Sequence, residues 1–322
     1  MNAASAVSST IPARPSVSFL ALNRFAWGVL AYNIAVIVWG AAVRATRSGA
    51  GCGNHWPLCG GSPTLGRLIE FAHRASSGVA LLAVIGLLVW TFRVTPQRHL
   101  ARSASVAALV LTLNEALLGA LLVLLGKVAN DQSASRALYL GLHLTNTLLL
   151  LAALALTAHF ISRQQGFMHG SVELRRPGIA FTGLLAMLIV GVSGSLAALA
   201  DTLFPATSLR AAFLQDFSSQ SSWIIRLRWI HPALSLVAGA FLLWLAFRGA
   251  RINMHRSLSL TVGALLLGQI ALGIGDIVLL TPTTMQLLHL LGADLLWVAV
   301  VVLLARLCLP PIGCTGGLCS RS

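Results

Sequence analysis

Residues 68–92 read LIEFAHRASSGVALLAVIGLLVWTF, an apolar run with its polar side chains gathered near its start. A helix crossing a bilayer needs about 20 consecutive apolar residues, and this run is long enough. Seven further runs have the same character. Together the runs predict eight membrane spans, near 25–44, 68–92, 103–126, 137–161, 178–200, 224–247, 257–281 and 285–306. The predicted fold is therefore an all-α polytopic membrane protein.

The composition agrees with a membrane protein and argues against nucleic-acid binding. Of the 322 residues, 57% are hydrophobic and only 9% are charged, too few charges for a soluble domain of this size. The net charge of +14 comes mainly from arginines in the short connections between apolar runs. Anionic lipid and the positive-inside rule explain such arginines, so we expect membrane lipid and no nucleic acid as the partner of this charge.

Arginine-rich loops also orient the chain. Three connections on one side of the membrane carry three arginines each, at positions 93, 98 and 102, then 163, 175 and 176, then 248, 251 and 256. This side is predicted to be cytoplasmic, which places both termini there. Residues 1–24 are predicted to form a cytoplasmic arm and residues 308–322 a cytoplasmic tail. The opposite side also carries arginines, several of which flank histidines.

Four histidines lie near the outer starts of alternate spans: His73, His143, His231 and His289. Each is four to seven residues inside its predicted helix, about 6–11 Å deep at 1.5 Å per residue. Ionisable residues within the membrane are rare and indicate functional sites. Two histidine pairs in a helical bundle suit two b-type haems as axial iron ligands.

A weak internal repeat divides the chain near residue 170. Glu70-Phe-Ala-His73 in the first half corresponds to Arg228-Trp-Ile-His231 in the second. The segments 114–119 (NEALLG) and 268–273 (GQIALG) correspond in the same way, as do 142–144 and 288–290. We therefore predict two pseudo-symmetric four-helix bundles, residues 25–170 and 171–307, with one histidine pair each.

Charged residues beside the histidines differ between the halves. Arg228, Arg74 and Arg44 could bind haem propionates, since guanidinium groups pair with carboxylates; interfacial snorkelling is the alternative. Glu70, one turn before His73, could stabilise charge or relay a proton, or it could form an ion pair with Arg44 or Arg74. Because the second half has Arg228 at the position that corresponds to Glu70, the two histidine pairs should have different functions. Three more acidic residues within spans indicate only polar packing: Glu115, Asp276 and Asp294.

The cysteines are predicted to lie on both sides of the membrane. Cys52 and Cys59 lie in the first outer loop, where a disulfide can persist. Such a bridge could be redox-active or could stabilise a lid over the first histidine pair; zinc would find only His55 as a nearby third ligand. Cys308, Cys314 and Cys319 are predicted to be reduced cytoplasmic thiols without a role.

Two stretches together resemble one known family. The run 44–60 (RATRSGAGCGNHWPLCG), followed by Glu70-Phe-Ala-His73-Arg74, is similar to the first outer loop and second helix of haem A synthases. The segments around His143, His231 and His289 fit the same family, so the resemblance covers nearly the whole chain. Unlike some members, this chain has no second cysteine pair in the third outer loop, between Asp201 and Ser222.

The resemblance implies an enzyme that oxidises the C8 methyl group of haem O to a formyl group, giving haem A for cytochrome oxidase. It also implies a haem b cofactor on His231 and His289, with the substrate held at His73 and His143 beside Glu70. Haem O synthase and a quinol or other electron donor would be partners. Two other classes remain open: a di-haem cytochrome b that oxidises quinol, and a transporter built from repeats, which would need more broken helices.

Overall fold

The computed structural model describes residues 17–53, 55–62, 64–163, 177–252 and 255–308. Within these ranges the chain forms helices, two short 3-10 turns at Ser48–Ala50 and Ile225–Leu227, and no strand. The helices are α1 (Val17–Ala45), α2 (Leu65–Val94), α3 (Leu100–Leu124), α4 (Ala134–Ser162), α5 (Pro177–Leu203), α6 (Leu209–Phe217), α7 (Ile230–Ala250), α8 (Arg256–Val278) and α9 (Thr283–Cys308).

Eight of these helices are long and apolar enough to cross a membrane. They coincide with the eight predicted spans, so the all-α, eight-span fold is confirmed. The largest boundary difference is at α1, which begins at Val17, before the end of the predicted arm at residue 24. Several residues named in the sequence-based predictions lie outside the described ranges: 1–16 of the arm, Arg175 and Arg176, and the tail beyond Cys308 with Cys314 and Cys319.

The short helix α6 was not predicted. Its nine residues connect α5 to α7, and at 1.5 Å per residue it is only about 14 Å long, too short to cross a bilayer. Phe213, Leu214 and Phe217 are exposed on it. An apolar exposed face on a helix between two spans is typical of a segment lying along the membrane surface.

Helix contacts close in the same cyclic order in the two halves. In the first half, α1 contacts α2, α2 contacts α3, α3 contacts α4, and α4 returns to α1. In the second half the order is α5, α7, α8, α9 and back to α5. This arrangement is compatible with the predicted pair of pseudo-symmetric four-helix bundles.

The two halves meet along α4, which packs against both α5 and α9. Helices α4 and α9 have the most buried spans, and α4 is buried over most of its length. At their contact, the Trp297 indole N–H donates to the Leu148 carbonyl over 2.7 Å, and Trp297 is almost fully buried. A buried indole needs such a partner, so this bond fixes the position of α9 against α4.

Local capping determines where two histidine-bearing helices begin. The Thr64 side chain accepts a hydrogen bond from the Arg67 amide at the start of α2, and Ser133 does the same for Arg136 at the start of α4. Threonine and serine are favoured N-cap residues because their oxygens pair with otherwise unbonded amides of the first turn. His73 and His143 therefore occupy fixed heights on capped helices.

Candidate functional site

Each of the four histidines packs against a glycine of the preceding span. A β-carbon at Gly40 would stand 2.9 Å from Cε1 of His73, and one at Gly194 would stand 2.9 Å from Cε1 of His231. The corresponding distances are 3.8 Å from Gly119 to Nε2 of His143 and 3.0 Å from Gly273 to Cε1 of His289. The glycines give the imidazoles room between closely packed helices. The sequence repeat contains Gly119 and Gly273, but only the structure shows what they face.

The C-terminal histidines face each other. The rings of His231 and His289 have centroids 6.3 Å apart and are nearly perpendicular, at 85°. Nδ1 of His231 lies 3.1 Å from the Ser193 hydroxyl, which itself donates to the Val190 carbonyl. Because Ser193 has a single proton to donate, its oxygen accepts from Nδ1–H of His231. This bond leaves Nε2 of His231 as the ring nitrogen with a free lone pair.

A glutamine contacts the other ring of this pair. Nε2 of Gln269, on α8, donates to the His289 carbonyl over 3.0 Å and lies 3.2 Å from Nε2 of His289. Nδ1 of His289 is buried and has no hydrogen-bond partner among the described residues. A buried polar nitrogen without a partner is costly and suggests a ligand.

The N-terminal histidines have a charged neighbour instead. Nδ1 of His143 lies 2.9 Å from Oε1 of Glu115, on α3. The hydroxyl of Thr147 and the amide of Asn146 also donate to the Glu115 carboxylate. Nδ1 of His73 is buried, with no partner in the described part of the chain. Sequence reasoning placed Glu115 within a span but did not connect it to His143.

Glu70 is buried and engaged at both carboxylate oxygens. Its Oε2 accepts a hydrogen bond from the Cys52 amide over 2.8 Å, and its Oε1 forms an ion pair with Arg74. Arg74 also donates to the His55 carbonyl over 2.6 Å. Of the alternatives given by the sequence, the structure therefore shows the ion pair with Arg74, which ties α2 to the first outer loop.

The loop between α1 and α2, predicted to be the first outer loop, is closed by a disulfide between Cys52 and Cys59, whose Cα atoms are 4.7 Å apart. This predicted bridge is confirmed. Arg67 holds the same loop by donating to the Gly51 carbonyl over 3.1 Å. Trp56, within the closed loop, is about half exposed. At the opposite end of the molecule, Cys308 is buried at the end of α9.

Arg44 links the two halves. Its guanidinium donates to the Ala198 carbonyl and the Thr202 hydroxyl on α5, over 2.7 and 2.8 Å, and to Gln286 on α9 over 3.1 Å. All three acceptors belong to the C-terminal half, although Arg44 ends the first span. Arg44 therefore stabilises the interface between the halves at the end of α1.

Arg228 is paired within the C-terminal half. It forms ion pairs with Asp201 and Asp216, over 3.2 and 3.1 Å, and donates to Gln215 over 2.9 Å. Burial raises the pKa of the Asp216 carboxyl, and the nearby Arg228 guanidinium opposes that rise. The predicted propionate-binding arginines, Arg44, Arg74 and Arg228, thus all have protein partners in the structure.

Comparison with known proteins identifies relatives along most of the chain. The family model for a cytochrome oxidase assembly protein, COX15-CtaA, matches residues 23–67 and 66–301. A protein of Thermus thermophilus named protoheme IX farnesyltransferase is 40% identical over 294 residues, which cover 88% of this chain and 48% of that protein. The chain therefore spans about half the length of that relative.

Heme A synthases are similar over shorter stretches. The Bacillus licheniformis heme A synthase is 30% identical over 224 residues, covering 67% of this chain and 71% of that protein. An Exiguobacterium heme A synthase is 35% identical over 117 residues, covering 34% of this chain and 37% of that protein. With its eight spans and a family model that matches most of its length, the chain belongs to the COX15-CtaA family of cytochrome oxidase assembly proteins.

Proposed function

We propose that this protein is a haem A synthase, which oxidises the C8 methyl group of haem O to a formyl group. The observation that carries the proposal is the presence of two histidine pairs in unlike surroundings: Glu115 contacts the N-terminal pair and Gln269 the C-terminal pair. One scaffold would thus offer two haem sites of different chemistry. The heme A synthases among the relatives support this activity.

The C-terminal half, residues 171–307, would hold haem b between His231 and His289. The rings of His231 and His289 face each other with centroids 6.3 Å apart, and both imidazoles would hold the haem iron. Ser193 leaves Nε2 of His231 free for iron, and Nε2 of His289 would become available when Gln269 gives up its contact to that ring. When bound, haem b would supply one-electron transfer.

The N-terminal half, residues 25–170, would take haem O at His73 and His143. Gly40 gives the His73 ring its space, and the buried Nδ1 of His73 lacks a partner among the described residues. Glu70 would act next to this site, either through its charge or by holding the outer loop through Cys52 and Arg74. The disulfide-closed loop would then limit the access of water to the reacting face of the substrate.

The substrate and cofactor carboxylates would bind at the outer end of the protein. Each guanidinium has five N–H donors, so Arg44, Arg74 and Arg228 can accept a propionate in addition to their present partners or in exchange for one. Both termini would then be cytoplasmic, with the haem sites toward the outer side of the cell membrane.

A haem O synthase is the partner that this reaction requires. The Thermus relative is named a protoheme IX farnesyltransferase and is about twice the length of the matched region. Farnesylation of protohaem yields the haem O that this chain would consume. We propose that the haem O synthase and this chain lie next to each other in the membrane. A quinol or other donor would supply the electrons.

The experiment is expression of the chain with and without a haem O synthase in cells that make no haem A. Extracted pigments are identified by mass. Haem A is expected only when both proteins are present, and His73→Ala should prevent its formation while leaving haem b bound. Haem O accumulation without haem A, in cells that hold folded protein with bound haem b, would contradict the proposal.

A further inference from the structure

Glu115 and Gln269 occupy corresponding places in the two halves, and each contacts the histidine on the next span. Glu115 on α3 lies 2.9 Å from His143 Nδ1, while Gln269 on α8 lies 3.2 Å from His289 Nε2. Each precedes by four residues the glycine that faces the same imidazole, Gly119 or Gly273. The two contacts differ in charge and in the ring nitrogen they involve: a carboxylate faces Nδ1 of His143, and a neutral amide faces Nε2 of His289.

The carboxylate fixes the tautomer of His143. A carboxylate oxygen 2.9 Å from Nδ1 of His143 favours the tautomer that carries its hydrogen on Nδ1. Nε2 is then the single ring nitrogen with a lone pair for a metal ion. Glu115 thus selects the iron-binding nitrogen without touching the iron position itself.

Neutral side chains hold Glu115 in place. Asn146 and Thr147, both buried on α4, donate to its carboxylate. Asn114 donates to Asn146 over 2.8 Å and extends the network back to α3. Since these described partners are uncharged, the negative charge of Glu115 acts mainly on the imidazole of His143.

The C-terminal half lacks this network. The repeat places Gly268, Gly292 and Ala293 where the first half has Asn114, Asn146 and Thr147. A β-carbon at Gly292 would overlap Oε1 of Gln269, so the glycine makes room for the amide. Gln269 binds the His289 carbonyl and leaves the ring beside a neutral group.

We propose that Glu115 is a positioning residue that makes His143 a stronger electron donor to the substrate iron than His289 is to the cofactor iron. This inference rests on the proposed function for the identity of the bound haems. A carboxylate that accepts from a metal-binding imidazole orients the ring and raises its basicity. A stronger donor favours the oxidised metal ion, so the N-terminal haem should have the lower reduction potential of the two.

The test is the variant Glu115→Gln in the whole chain loaded with haem b and haem O. Glu115→Gln keeps the size of the side chain and removes its charge. We expect it to raise the potential of the N-terminal haem, measured by spectroelectrochemistry, and to weaken haem O binding by about tenfold or more. The haem b potential should not move.

A second variant, Thr147→Val, keeps the inference testable if Glu115→Gln fails to fold. It removes one hydrogen bond to the carboxylate but keeps the charge, so we expect a smaller rise in the same potential. A purely structural role for Glu115 would lower the unfolding temperature without moving either potential. An unchanged N-terminal potential in Glu115→Gln would overturn the inference.

The failure of this inference can be told apart from the failure of the proposed function. If the wild-type protein binds haem O but makes no haem A, the proposed function is wrong, and the potentials still report on Glu115. If the wild-type protein makes haem A and Glu115→Gln moves no potential, the inference about Glu115 alone is wrong.

Discussion

The N-terminal and C-terminal halves share a scaffold and differ in the charges placed around it. Both close four helices in the same cyclic order, and both set each histidine against a glycine of the preceding span. Beside the histidines, however, the first half carries Glu70 and Glu115, whereas the second carries Arg228 and Gln269. The comparison teaches that the ring positions depend on helix packing, while a few side chains set the chemistry of each site.

The largest effect should come from removing a histidine of the C-terminal pair. His289→Ala deletes one of two rings that face each other at 6.3 Å, so we expect loss of most bound haem b and of haem A formation. Optical spectra and haem extraction from the purified protein measure both. His73→Ala is the matched change in the other half and should keep haem b. Equal loss of haem b in the two variants would contradict the division between the halves.

Glu70→Gln should abolish most haem A formation and leave the haem b spectrum intact. The amide can still accept from the Cys52 backbone, but it loses the charge that pairs with Arg74. We expect at least about a hundredfold slower conversion, the scale on which a charge placed at a reacting centre acts.

Arg74→Gln is the control for that change, because it breaks the same ion pair and leaves the carboxylate in place. If both variants are equally slow, the ion pair limits the reaction, through the loop it holds or through the propionate contact proposed for Arg74. If only Glu70→Gln is slow, its charge acts on the substrate. Near-normal conversion in Glu70→Gln would show that neither role limits the reaction.

Gly194→Ala should weaken haem b binding to an intermediate degree. The new methyl group would stand 2.9 Å from the His231 ring, and overpacking of this kind costs about 1–3 kcal/mol. Gly263→Ala, on α8 in the same half, is the control, because a β-carbon there meets nothing within 4 Å. Unfolding temperature and haem retention measure the difference.

Gly40→Ala is the corresponding change in the N-terminal half. It should disturb His73 and leave haem b bound. Loss of haem b in Gly40→Ala as large as in Gly194→Ala would count against separate sites.

The smallest effect should follow from opening the outer loop. In the double variant Cys52→Ser with Cys59→Ser, the loop keeps its contacts to Arg67, Arg74 and Glu70, so conversion should fall only partly and haem b should stay bound. Chain entropy alone gives about 2.5 kcal/mol for a bridge of this size. Turnover assays with haem spectra provide the measurement. Complete loss of turnover with intact fold and haem would show instead that the disulfide cycles electrons.

The span pattern was predictable because bilayer thickness dictates it. Apolar runs located all eight spans, and the lack of any other cysteine in the outer loops made the pairing of Cys52 with Cys59 predictable. Helix α6 was not predicted, because its nine residues mix polar and apolar side chains as a loop does. The start of α1 at Val17 was missed because its first turns are less apolar than the span that follows.

Partners across the bundle could not be predicted, since they depend on how each helix is rotated. The repeat aligned Glu115 with Gln269, but nothing in the sequence told which face of α3 meets His143. Arg44 was expected near the propionates, yet it donates to acceptors on α5 and α9, more than 150 residues away in sequence. For Glu70 the sequence left open a charge or proton-relay role and an ion pair with Arg44 or Arg74. Only the structure shows that its carboxylate contacts Arg74 and the Cys52 amide.

The most direct test of separate cofactor and substrate sites is the haem content per chain. The wild-type protein is purified from cells with and without a haem O synthase, and its haems are quantified by extraction and mass. We predict one haem b per chain in both preparations, with haem O or haem A present in addition only when the synthase is supplied. Two haem b per chain without haem O, lost one at a time in His143→Ala and His289→Ala, would contradict the assignment and indicate a di-haem cytochrome b.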